Sequence, residues 1–575
     1  MNMEKTIVNR KFGIIDIVIF LAIAVLLYLA LTPAINGYVK PTDVGSTIST
    51  NISNIPFYML KSVGRMTAAY ILSIIFTLIY GYIAAHNKRA ERIMIPILDI
   101  LQSIPVLSFL PAVLLGLMAL FPMDKIGVEL ASIILIFTSQ AWNMTFSFYN
   151  SIKQIPNDLI EASDVFRLNK WQKFKKLEVP FSMMGLVWNS MMSWAGGWFF
   201  LMTCEMFTLN GKTYVLQGIG SYLQVAANQD NINALIWGII SLIIVIVLLD
   251  QLVWKPLNVW ADKFKMELTQ TDVPHSYVLT MLRRSVVVGF LVDKVFAPVI
   301  TVVGSRIDKL VDRRTVNKAK VVNKKNNGSV IKWAIRIIAI IVFVYLAFDA
   351  SKLIMQLSVN ELLGIFPAAG ATLLRVTVAQ LIAVVWTVPV GVAIGLNKKL
   401  ARILQPIVQI AASVPATALF PVLILFLINY IGGLNIAAVI LMLLGTQWYI
   451  LVNVIAGAMA IPEDLKAAAK TFGITGIKKW KVLIIPAIFP YLVTGLITAA
   501  GGCWNASIIA EYVTFGGKTV TTIGLGALIT ESTANGNYAM LLASTLAMII
   551  MVVVLNKLVW NRLYRLAEEK FRIEL

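Results

Sequence analysis

Long apolar segments without charged residues alternate with short basic segments along the chain. Each apolar window holds about 20 residues, the length that a helix needs to cross a bilayer. Twelve such windows fall into two groups of six, at 13–34, 66–85, 100–123, 130–152, 181–204 and 231–249, and at 333–348, 376–397, 403–430, 434–460, 482–510 and 537–556. We therefore predict an all-α polytopic membrane protein with about twelve transmembrane helices.

A polar segment separates the two groups of windows. We assign residues 1–255 to a first half with six spans, 256–331 to a basic cytoplasmic linker and 332–575 to a second half with six spans. The apolar stretch 285–304 inside the linker is interrupted by two charged residues and a proline. A further span there would invert the second half, so we interpret it as an interfacial helix, with a spanning helix as the alternative.

Basic residues predict the orientation of the spans. Lys and Arg are concentrated in the loops after the second and fourth windows of each half, whereas the alternate loops hold isolated cations. Cytoplasmic loops carry such an excess, so we place these loops and both termini in the cytoplasm, and the protein in the plasma membrane. The composition agrees, because 58% of residues are hydrophobic and only 14% are charged, against roughly 25% charged in a soluble domain.

The two halves are related by an internal repeat. The segment 62–85 (SVGRMTAAYILSIIFTLIYGYIAA) matches 372–395 (TLLRVTVAQLIAVVWTVPVGVAIG), and this alignment places Arg65 on Arg375 at an offset of 310. From the fourth span onward the offset is 306, and three prolines recur at matching positions in the third spans, which predicts bent helices. Repeats of the same orientation are related by an axis along the membrane normal. We therefore predict a pseudo-dimer with a solute path between its halves.

The loop between the fourth and fifth spans carries the most informative motif. Its two copies are IPNDLIEASDVFRLNKWQKFKKLEVP (155–180) and IPEDLKAAAKTFGITGIKKWKVLIIP (461–486). Each starts with proline and acidic residues, both favourable in the first turn of a helix. The residues that then share one helical face are Leu159, Ala162 and Phe166 in the first copy, and Leu465, Ala468 and Phe472 in the second. We predict that each loop forms a short amphipathic helix that docks into a groove on another protein.

This loop resembles the one with which ABC importer permeases dock on their ATPase subunit, whose pattern is Glu-Ala-Ala, three residues, Gly, a longer spacer and Pro. The matching positions are Glu161, Ala162, Ser163 and Pro180, with Arg167 in place of the glycine, and Ala467, Ala468, Ala469, Gly473 and Pro486, with Ala467 in place of the glutamate. The segment at 372–395, SIPVLSFLP, SVPATALFP, and GGWFFLMTCEMF followed by GIGSYL are similar to permeases of the nitrate/taurine/alkanesulfonate/bicarbonate type.

The resemblance covers both halves and implies two permease domains fused in one polypeptide. It implies two ATPase subunits on other chains, which hold ATP and Mg, and an external solute-binding protein that delivers a small organic or inorganic anion. No cofactor is expected on this chain, which is not expected to be an enzyme. The GKT triplets at 211–213 and 517–519 lack the first glycine of a phosphate-binding loop and fall in predicted outer turns.

An ion-coupled secondary transporter is the alternative function. Such carriers place charged residues or histidine in mid-span as ion relays. The central parts of the windows contain almost none of these residues. An ATP-driven machine needs no relay, which favours the ABC permease.

Polar and aromatic residues within the spans are the predicted lining of the solute path. They are Arg65, Gln140, Trp142, Trp198 and Glu205 in the first half, and Arg375, Gln447, Trp448, Trp504, Asn505 and Glu511 in the second. The two arginines could attract an anion by bidentate hydrogen bonding. Alternatively, each forms a structural ion pair with the glutamate of its own half or extends to the headgroups, and the tryptophans could be interfacial anchors.

Overall fold

The computed structural model describes residues 48–103, 105–120, 124–209, 211–264, 277–284, 348–420, 433–515 and 518–570, with isolated residues elsewhere. The predicted span at 13–34 lies outside these residues. The predicted span at 333–348 and the linker segment at 285–304 lie almost entirely outside them.

The described part of the first half is a series of helices interrupted by one β-hairpin. The elements are α1 (Ile55–His86), α2 (Lys88–Ser103), α3 (Leu110–Leu120), α4 (Asp124–Lys153), α5 (Asn157–Val165), α6 (Lys170–Lys173), α7 (Val179–Cys204), β1 (Met206–Leu209), β2 (Lys212–Val215), α8 (Ile219–Asn228), α9 (Ile232–Leu249) and α10 (Lys255–Ala261), followed by α11 (Tyr277–Arg284) in the linker. Helix α10 lies where the sequence analysis placed the boundary between the first half and the linker. It packs against α7.

The second half repeats this order. Its elements are α12 (Val359–Leu396), α13 (Lys398–Ser413), α14 (Leu434–Met459), α15 (Glu463–Thr471), α16 (Gly476–Lys479), α17 (Ile485–Ala510), β3 (Tyr512–Phe515), β4 (Lys518–Thr521), α18 (Leu525–Asn535), α19 (Tyr538–Leu555) and α20 (Asn561–Lys570). Two π-helical turns occur at equivalent places in each half, Phe174–Glu178 and Asp250–Trp254, then Trp480–Ile484 and Asn556–Trp560. The predicted repeat therefore extends to local departures from the α-helix.

Six of the described helices are long and apolar enough to cross a membrane. They span Ile52–His86, Ile232–Phe264, Val359–Leu396, Leu434–Met459, Gly476–Ala510 and Tyr538–Ala567. Helices α4 and α7 are the counterparts of α14 and α17 and reach 30 and 26 residues. The all-α prediction is confirmed, and the arrangement of helices fits the plan of twelve spans in two parallel repeats.

Proline breaks the third span of the first half, as its sequence predicted. Helix α2 ends at Ser103, a short 3-10 turn follows Pro105, and α3 starts at Leu110, immediately before Pro111. Proline lacks an N–H and collides with the preceding helical turn. Helix α2 accommodates Pro96 in its interior, and the interruption lies at Pro105, whose backbone is extended. In the second half, α13 ends at Ser413, likewise just before a proline.

These broken spans exchange partners between the halves. Residues Val106, Leu107 and Leu110 are buried in a hydrophobic core made mostly of second-half residues. Ala418 lies in the core of the first half. Helix α2 contacts α19, and the equivalent helix α13 contacts α9. The two halves are therefore interlocked, and we call the surface between them the seam.

Helices α1, α4 and α7 pack side by side, and α12, α14 and α17 do the same in the second half. Small residues permit this close contact. A Cβ on Gly81 of α1 would lie 2.7 Å from the ring of Phe148, and one on Gly391 would lie 2.8 Å from Val454. Glycine at these positions lets the two backbones approach, as in other membrane helix pairs.

A β-hairpin follows the fifth span of each half. In β1–β2, Phe207 pairs with Tyr214, and Gly211 in the turn has φ of +71°. The first GKT triplet thus begins in the hairpin turn and continues into β2. The N–H of Gly211 donates to the carbonyl of Ala534 in the other half at 2.8 Å, while β3 reciprocally contacts α8. We call this side of the molecule the hairpin end and the opposite side, with α5 and α15, the loop-helix end.

The contact between α1 and α4 gives a first testable expectation. Gly81→Val should lower the midpoint of thermal unfolding, since the added side chain must displace Phe148, an overpacking that costs about 1–3 kcal/mol. Gly64→Val is the matched control, because it lies on the same helix with no atom within 4 Å of its Cβ position. Equal shifts in the thermal unfolding of the two purified variants would contradict this account of the packing.

Candidate functional site

A buried ion pair joins the second and fifth spans of the first half. Nη1 of Arg65 donates to Oε1 of Glu205 at 2.6 Å. Nε and Nη2 of the same guanidinium donate to the two carboxylate oxygens of Glu129 at 2.6 and 3.1 Å, and Nη2 also donates to the carbonyl of Gln217 at 2.9 Å. Arg65 is 4% exposed and Glu205 is 0% exposed. Burial of these charges is tolerated because they are paired and hydrogen-bonded.

The same carboxylate holds the start of α8. The N–H of Gly220 donates to Oε2 of Glu205 at 2.7 Å. Ser62 on α1 donates to Oε1 of Glu205 at 2.5 Å and accepts a hydrogen bond from the N–H of Ile219 at 2.9 Å. The first N–H groups of a helix have no partner within it. These bonds satisfy two of them and attach the first turn of α8 to α1 and α7.

The second half contains an equivalent ion pair. Nη1 of Arg375 donates to Oε1 of Glu511 at 2.7 Å. Its Nη2 donates to Oδ1 of Asn435 at 2.7 Å and to Oγ1 of Thr522 at 2.8 Å. The carboxylate of Glu511 is fully buried. The guanidinium thus binds one carboxylate and two neutral groups.

The start of α18 is held in the same way as that of α8. Thr372 donates to Oε2 of Glu511 at 3.0 Å and accepts from the N–H of Leu525 at 2.8 Å. The N–H of Gly526 donates to Oε2 of Glu511 at 2.9 Å. Thr372 and Ser62 are 310 residues apart, the offset of the repeat in this region. Both halves therefore fix a short helix at the hairpin end through a buried carboxylate.

Glycine is required where this helix begins. A Cβ on Gly218 would overlap the carboxylate of Glu205, and one on Gly524 would overlap that of Glu511. Gly218 is the first glycine of the GIGSYL segment, and Gly524 is its equivalent at the offset of 306. Their role is the close approach of the backbone to a buried side chain.

The two networks differ at one position. Glu129 and Asn435 are 306 residues apart and therefore equivalent, yet the first is a carboxylate and the second an amide. The sequence analysis did not identify Glu129 or Asn435 as partners of the arginines. Glu129 lies at the edge of an apolar window, where charged residues are common. The repeat alignment could have drawn attention to the pair by placing it beside the two arginines.

This geometry favours the structural ion pair over attraction of a solute. The guanidinium of Arg65 donates four hydrogen bonds to groups of the protein. The guanidinium of Arg375 donates three. Both arginines are buried, so neither presents an exposed fork to an anion at the hairpin end.

A cavity with a volume of about 480 Å³, which we call the larger cavity, lies on the seam. Its wall in the first half comes from the segment around Leu107–Pro111, the end of α7, hairpin β1–β2 and α8. The equivalent elements of the second half complete it. The two short helices held by the ion pairs are thus walls of this cavity.

A smaller cavity of about 60 Å³ also lies on the seam. Ala195, Gly196, Phe199 and Phe200 of α7 contribute to it from the first half, and Asn505 contributes from the second. Oγ1 of Thr417, which lines the larger cavity, donates to the carbonyl of Phe199 at 3.4 Å. The two cavities are therefore adjacent along the seam.

Most of the predicted path-lining residues are packed away from these cavities. Asn505 lines the smaller cavity. Trp198 and Trp504 are buried in the hydrophobic cores, and Gln140 packs against Gly197. Trp386 donates a hydrogen bond to Gln447 and packs edge-on to Trp448, while Trp142 packs edge-on to Phe76. The larger cavity borders none of the eleven predicted residues. Their role in the path stays a prediction, except that the arginines and glutamates are explained by their ion pairs.

At the loop-helix end, α5 and α15 form as predicted and end in the same manner. In α5, the N–H of Leu168 donates to the carbonyl of Ser163 at 3.0 Å, and that of Arg167 donates to Asp164 at 2.9 Å. This is the Schellman motif, which places one residue in the left-handed region. That residue is Arg167 in the first half, with φ of +49°, and Gly473 in the second, with φ of +63°.

Each loop helix exposes apolar side chains at its end. Val165 and Phe166 are 79% and 77% exposed in the first half, and Phe472 is 79% exposed in the second. Ile477, in the following helix α16, is 76% exposed. The predicted face is divided, since Leu159 packs inward against a hydrophobic core while Phe166 projects outward.

The other predicted coupling residues are distributed accordingly. Exposed are Glu161, Ala162, Leu465, Ala467 and Ala468; half-buried are Pro180 and Pro486; buried are Ser163 and Ala469. The buried pair, Ser163 and Ala469, is equivalent at the offset of 306. Both loop helices therefore rest on the body of the protein through the same position.

A family model described as "Binding-protein-dependent transport system inner membrane component" matches the chain twice, at residues 77–253 and 387–573. Each match covers most of one half and includes its loop helix. Together they account for more than half of the chain.

Individual relatives match shorter parts of the chain. The nitrate import permease protein of Leptolyngbya laminosa is 27% identical over 196 residues, 34% of this chain and 67% of the relative. The bicarbonate transport system permease protein of Synechococcus elongatus is 31% identical over 170 residues, 29% of this chain and 58% of the relative. The taurine transport system permease protein of Escherichia coli is 26% identical over 160 residues, 28% of this chain and 54% of the relative. The chain thus spans about half to two thirds of the length of these relatives.

The difference between the two ion-pair networks predicts unequal sensitivity to loss of charge. Glu511→Gln should destabilise the protein more than Glu205→Gln, because Arg375 would keep no carboxylate partner, whereas Arg65 would keep Glu129. Breaking a buried pair costs about 3–5 kcal/mol, and the first variant should lose most of this amount. Thermal unfolding of the purified chain in lipid nanodiscs measures the difference.

A rescue variant sharpens this comparison. Asn435→Glu supplies Arg375 with the carboxylate that Arg65 already has, so it should restore much of the stability lost in Glu511→Gln. Equal losses in the two single variants, or no rescue by Asn435→Glu, would show that the second carboxylate does not compensate the arginine.

The left-handed residue that ends each loop helix gives a further prediction. Arg167→Gly should slow hydrogen exchange in α5, because it removes a backbone penalty of roughly 1–2 kcal/mol for a residue with a side chain. Arg167→Ala is the control, since it removes the charge but keeps the Cβ. Gly473→Arg should have the opposite effect in α15, and faster exchange in Arg167→Gly would contradict the assignment.

Proposed function

Because the chain belongs to the family of binding-protein-dependent transport system inner membrane components, we propose that it is the membrane subunit of an ABC importer, with two permease domains on one polypeptide. Two ATPase subunits on other chains bind at α5 and α15 and supply ATP and Mg. This chain itself carries out no catalysis. We propose the plasma membrane as its location, with the loop-helix end and both termini in the cytoplasm, as the basic loops favour.

The observation that carries this proposal is the pair of loop helices. Each ends with a phenylalanine, Phe166 or Phe472, that is more than three-quarters exposed. Exposed apolar side chains of a short amphipathic helix are the anchors with which such a helix fits a groove on a partner protein. Two such sites at equivalent positions suit two partners of the same kind, as the dimer of ATPase subunits in an ABC importer requires.

The loop helices are also connected to the spans in a way that suits transmission of movement. A π-helical turn, Phe174–Glu178 or Trp480–Ile484, stands between each loop helix and the fifth span of its half. Such turns occur frequently at functional sites within helices. Closure of the ATPase subunits would push α5 and α15, rotate the halves about the seam, and open the cavities alternately to the two sides.

We propose that the solute crosses along the seam, after delivery by an external binding protein. The two adjacent cavities there support this route. The expected anionic solute was inferred in part from the two arginines, but their ion pairs remove that support. An anion is now suggested only by the names of the nitrate and bicarbonate relatives.

An ion-coupled carrier finds less support in this structure. A relay needs a titratable side chain that can exchange a proton or ion with the path. Arg65, Glu205, Arg375 and Glu511 are paired and buried, and none of them lines the larger cavity.

Disruption of both loop helices should release the ATPase. Phe166→Asp combined with Phe472→Asp replaces an apolar contact with a charge at each site, so ATPase subunits should be lost when the complex is purified in detergent. Co-purification of the ATPase with the tagged chain, compared with the unmodified protein, measures the loss.

The control places the same charge at the other end of the molecule. Gln229→Asp is exposed at the hairpin end and should leave the complex intact. If the double variant elutes as a folded species and still retains its ATPase, the docking role of these helices is wrong.

A further inference from the structure

The larger cavity on the seam has an uncharged wall. Among the described residues, its lining contains no Asp, Glu, Lys, Arg or His. Most of its lining side chains are apolar, including Met202, Phe207, Ile508 and Phe420. Its volume of about 480 Å³ falls within the range of roughly 300–1,000 Å³ that is typical of pockets for organic ligands. It is far larger than nitrate or bicarbonate needs.

Two threonine hydroxyls on α18 use their protons within the protein. Oγ1 of Thr530 donates to the carbonyl of Ile508 at 2.8 Å, and Oγ1 of Thr533 donates to that of Ile529 at 2.7 Å. A hydroxyl has one donor and two acceptor lone pairs. These two cavity-lining threonines can therefore only accept hydrogen bonds from a solute, which suits a solute with N–H or O–H groups and disfavours an anion.

Desolvation acts in the same direction. An ionised group that enters an apolar site without a counter-charge loses its hydration, which is far more costly than burial of a neutral polar group. The buried arginines Arg65 and Arg375 form ion pairs within the protein. Among the described lining residues, the cavity therefore offers no positive charge that would compensate an anion.

The repeat also makes the cavity asymmetric. Gln224 and Thr530 occupy equivalent positions at the offset of 306, as do Met206 and Tyr512. A dimer of identical chains would present the same side chain twice. Fusion of the halves lets each position differ, so the two sides can recognise different parts of one molecule.

We propose that this cavity binds an uncharged organic solute that has an apolar part and hydrogen-bond donors, rather than a small inorganic anion. The inference rests on the proposed function, in which the solute passes along the seam. It names the class of solute for that path. The apolar wall takes the apolar part of the solute, while the hydroxyl oxygens of Thr530 and Thr533 on α18 accept hydrogen bonds from its polar part.

Cysteine chemistry in the full chain, retained in membranes with its ATPase, tests the charge preference. The two native cysteines, Cys204 and Cys503, are buried and 0% exposed, so an introduced cysteine is labelled selectively. Gln224→Cys places the thiol in the cavity, and Gln229→Cys places it on the nearby exposed surface. Labelling rates are compared for three methanethiosulfonates of similar size: hydroxyethyl, sulfonatoethyl and trimethylammonioethyl.

The neutral reagent should react readily at both positions. After normalisation to the rates at Gln229→Cys, both charged reagents should react at least tenfold more slowly than the neutral one at Gln224→Cys. A charged reagent that reacts as fast as the neutral one in the cavity would overturn the proposal.

Protection by matched probes tests the class of solute. Benzamide and benzoate share a ring and a similar shape, but the first offers N–H donors and the second a carboxylate. Benzamide should slow hydroxyethyl labelling of Gln224→Cys and leave Gln229→Cys unaffected, while benzoate and nitrate should not protect. Protection by benzoate or nitrate, or none by benzamide up to its solubility limit, would overturn the assigned class.

These outcomes are separate from those that test the proposed function. ATPase retention by the Phe166→Asp/Phe472→Asp variant would refute the docking role and leave the chemistry of the cavity unchanged. Conversely, rapid labelling by the anionic reagent would overturn the neutral class of solute while the ATPase still bound at the loop helices.

Discussion

The buried arginine–glutamate pair in each half is the constraint on which the hairpin end depends. A charge buried within a membrane protein must be paired, and here the pairing partners come from different elements. Arg65 and Glu205 bring together α1, α7 and the start of α8, because the same carboxylate also accepts a backbone N–H. The position of α8, and hence one wall of the larger cavity, follows from satisfying this one ion pair.

The sequence predicted those features that repeat along the chain. Constant offsets related Arg65 to Arg375 and Glu205 to Glu511, and loop composition predicted the helices that became α5 and α15. The sequence could not predict that each broken third span packs against the opposite half. An alignment of the two halves shows which positions are equivalent, but not which half a given residue contacts. The cavity on the seam depends on that exchange, so its lining could not be derived.

The sequence could not distinguish path-lining residues from core residues, for a physical reason. In soluble helices, one polar face distinguishes the surface from the core, whereas a helix in a membrane is apolar all around. A tryptophan such as Trp198 can then be lipid-facing, path-lining or core with the same sequence pattern. The structure buries it. Polar groups that do line the cavity, such as Thr530, are small and bond to their own helix, so they do not stand out in an apolar window.

Equivalent positions are most alike where the two halves must do the same work. Both ends of the proposed transmission path match: the loop helices finish in the same motif, the π-helical turns coincide, and the ion pairs recur. The cavity walls differ instead, as at Gln224 and Thr530. In the proposed importer, two ATPase subunits of the same kind would act on an asymmetric solute cavity. This requires that the segments in contact with the ATPase stay equivalent, while the segments that line the cavity can differ. Fusion of the two halves in one chain allows both conditions to be met.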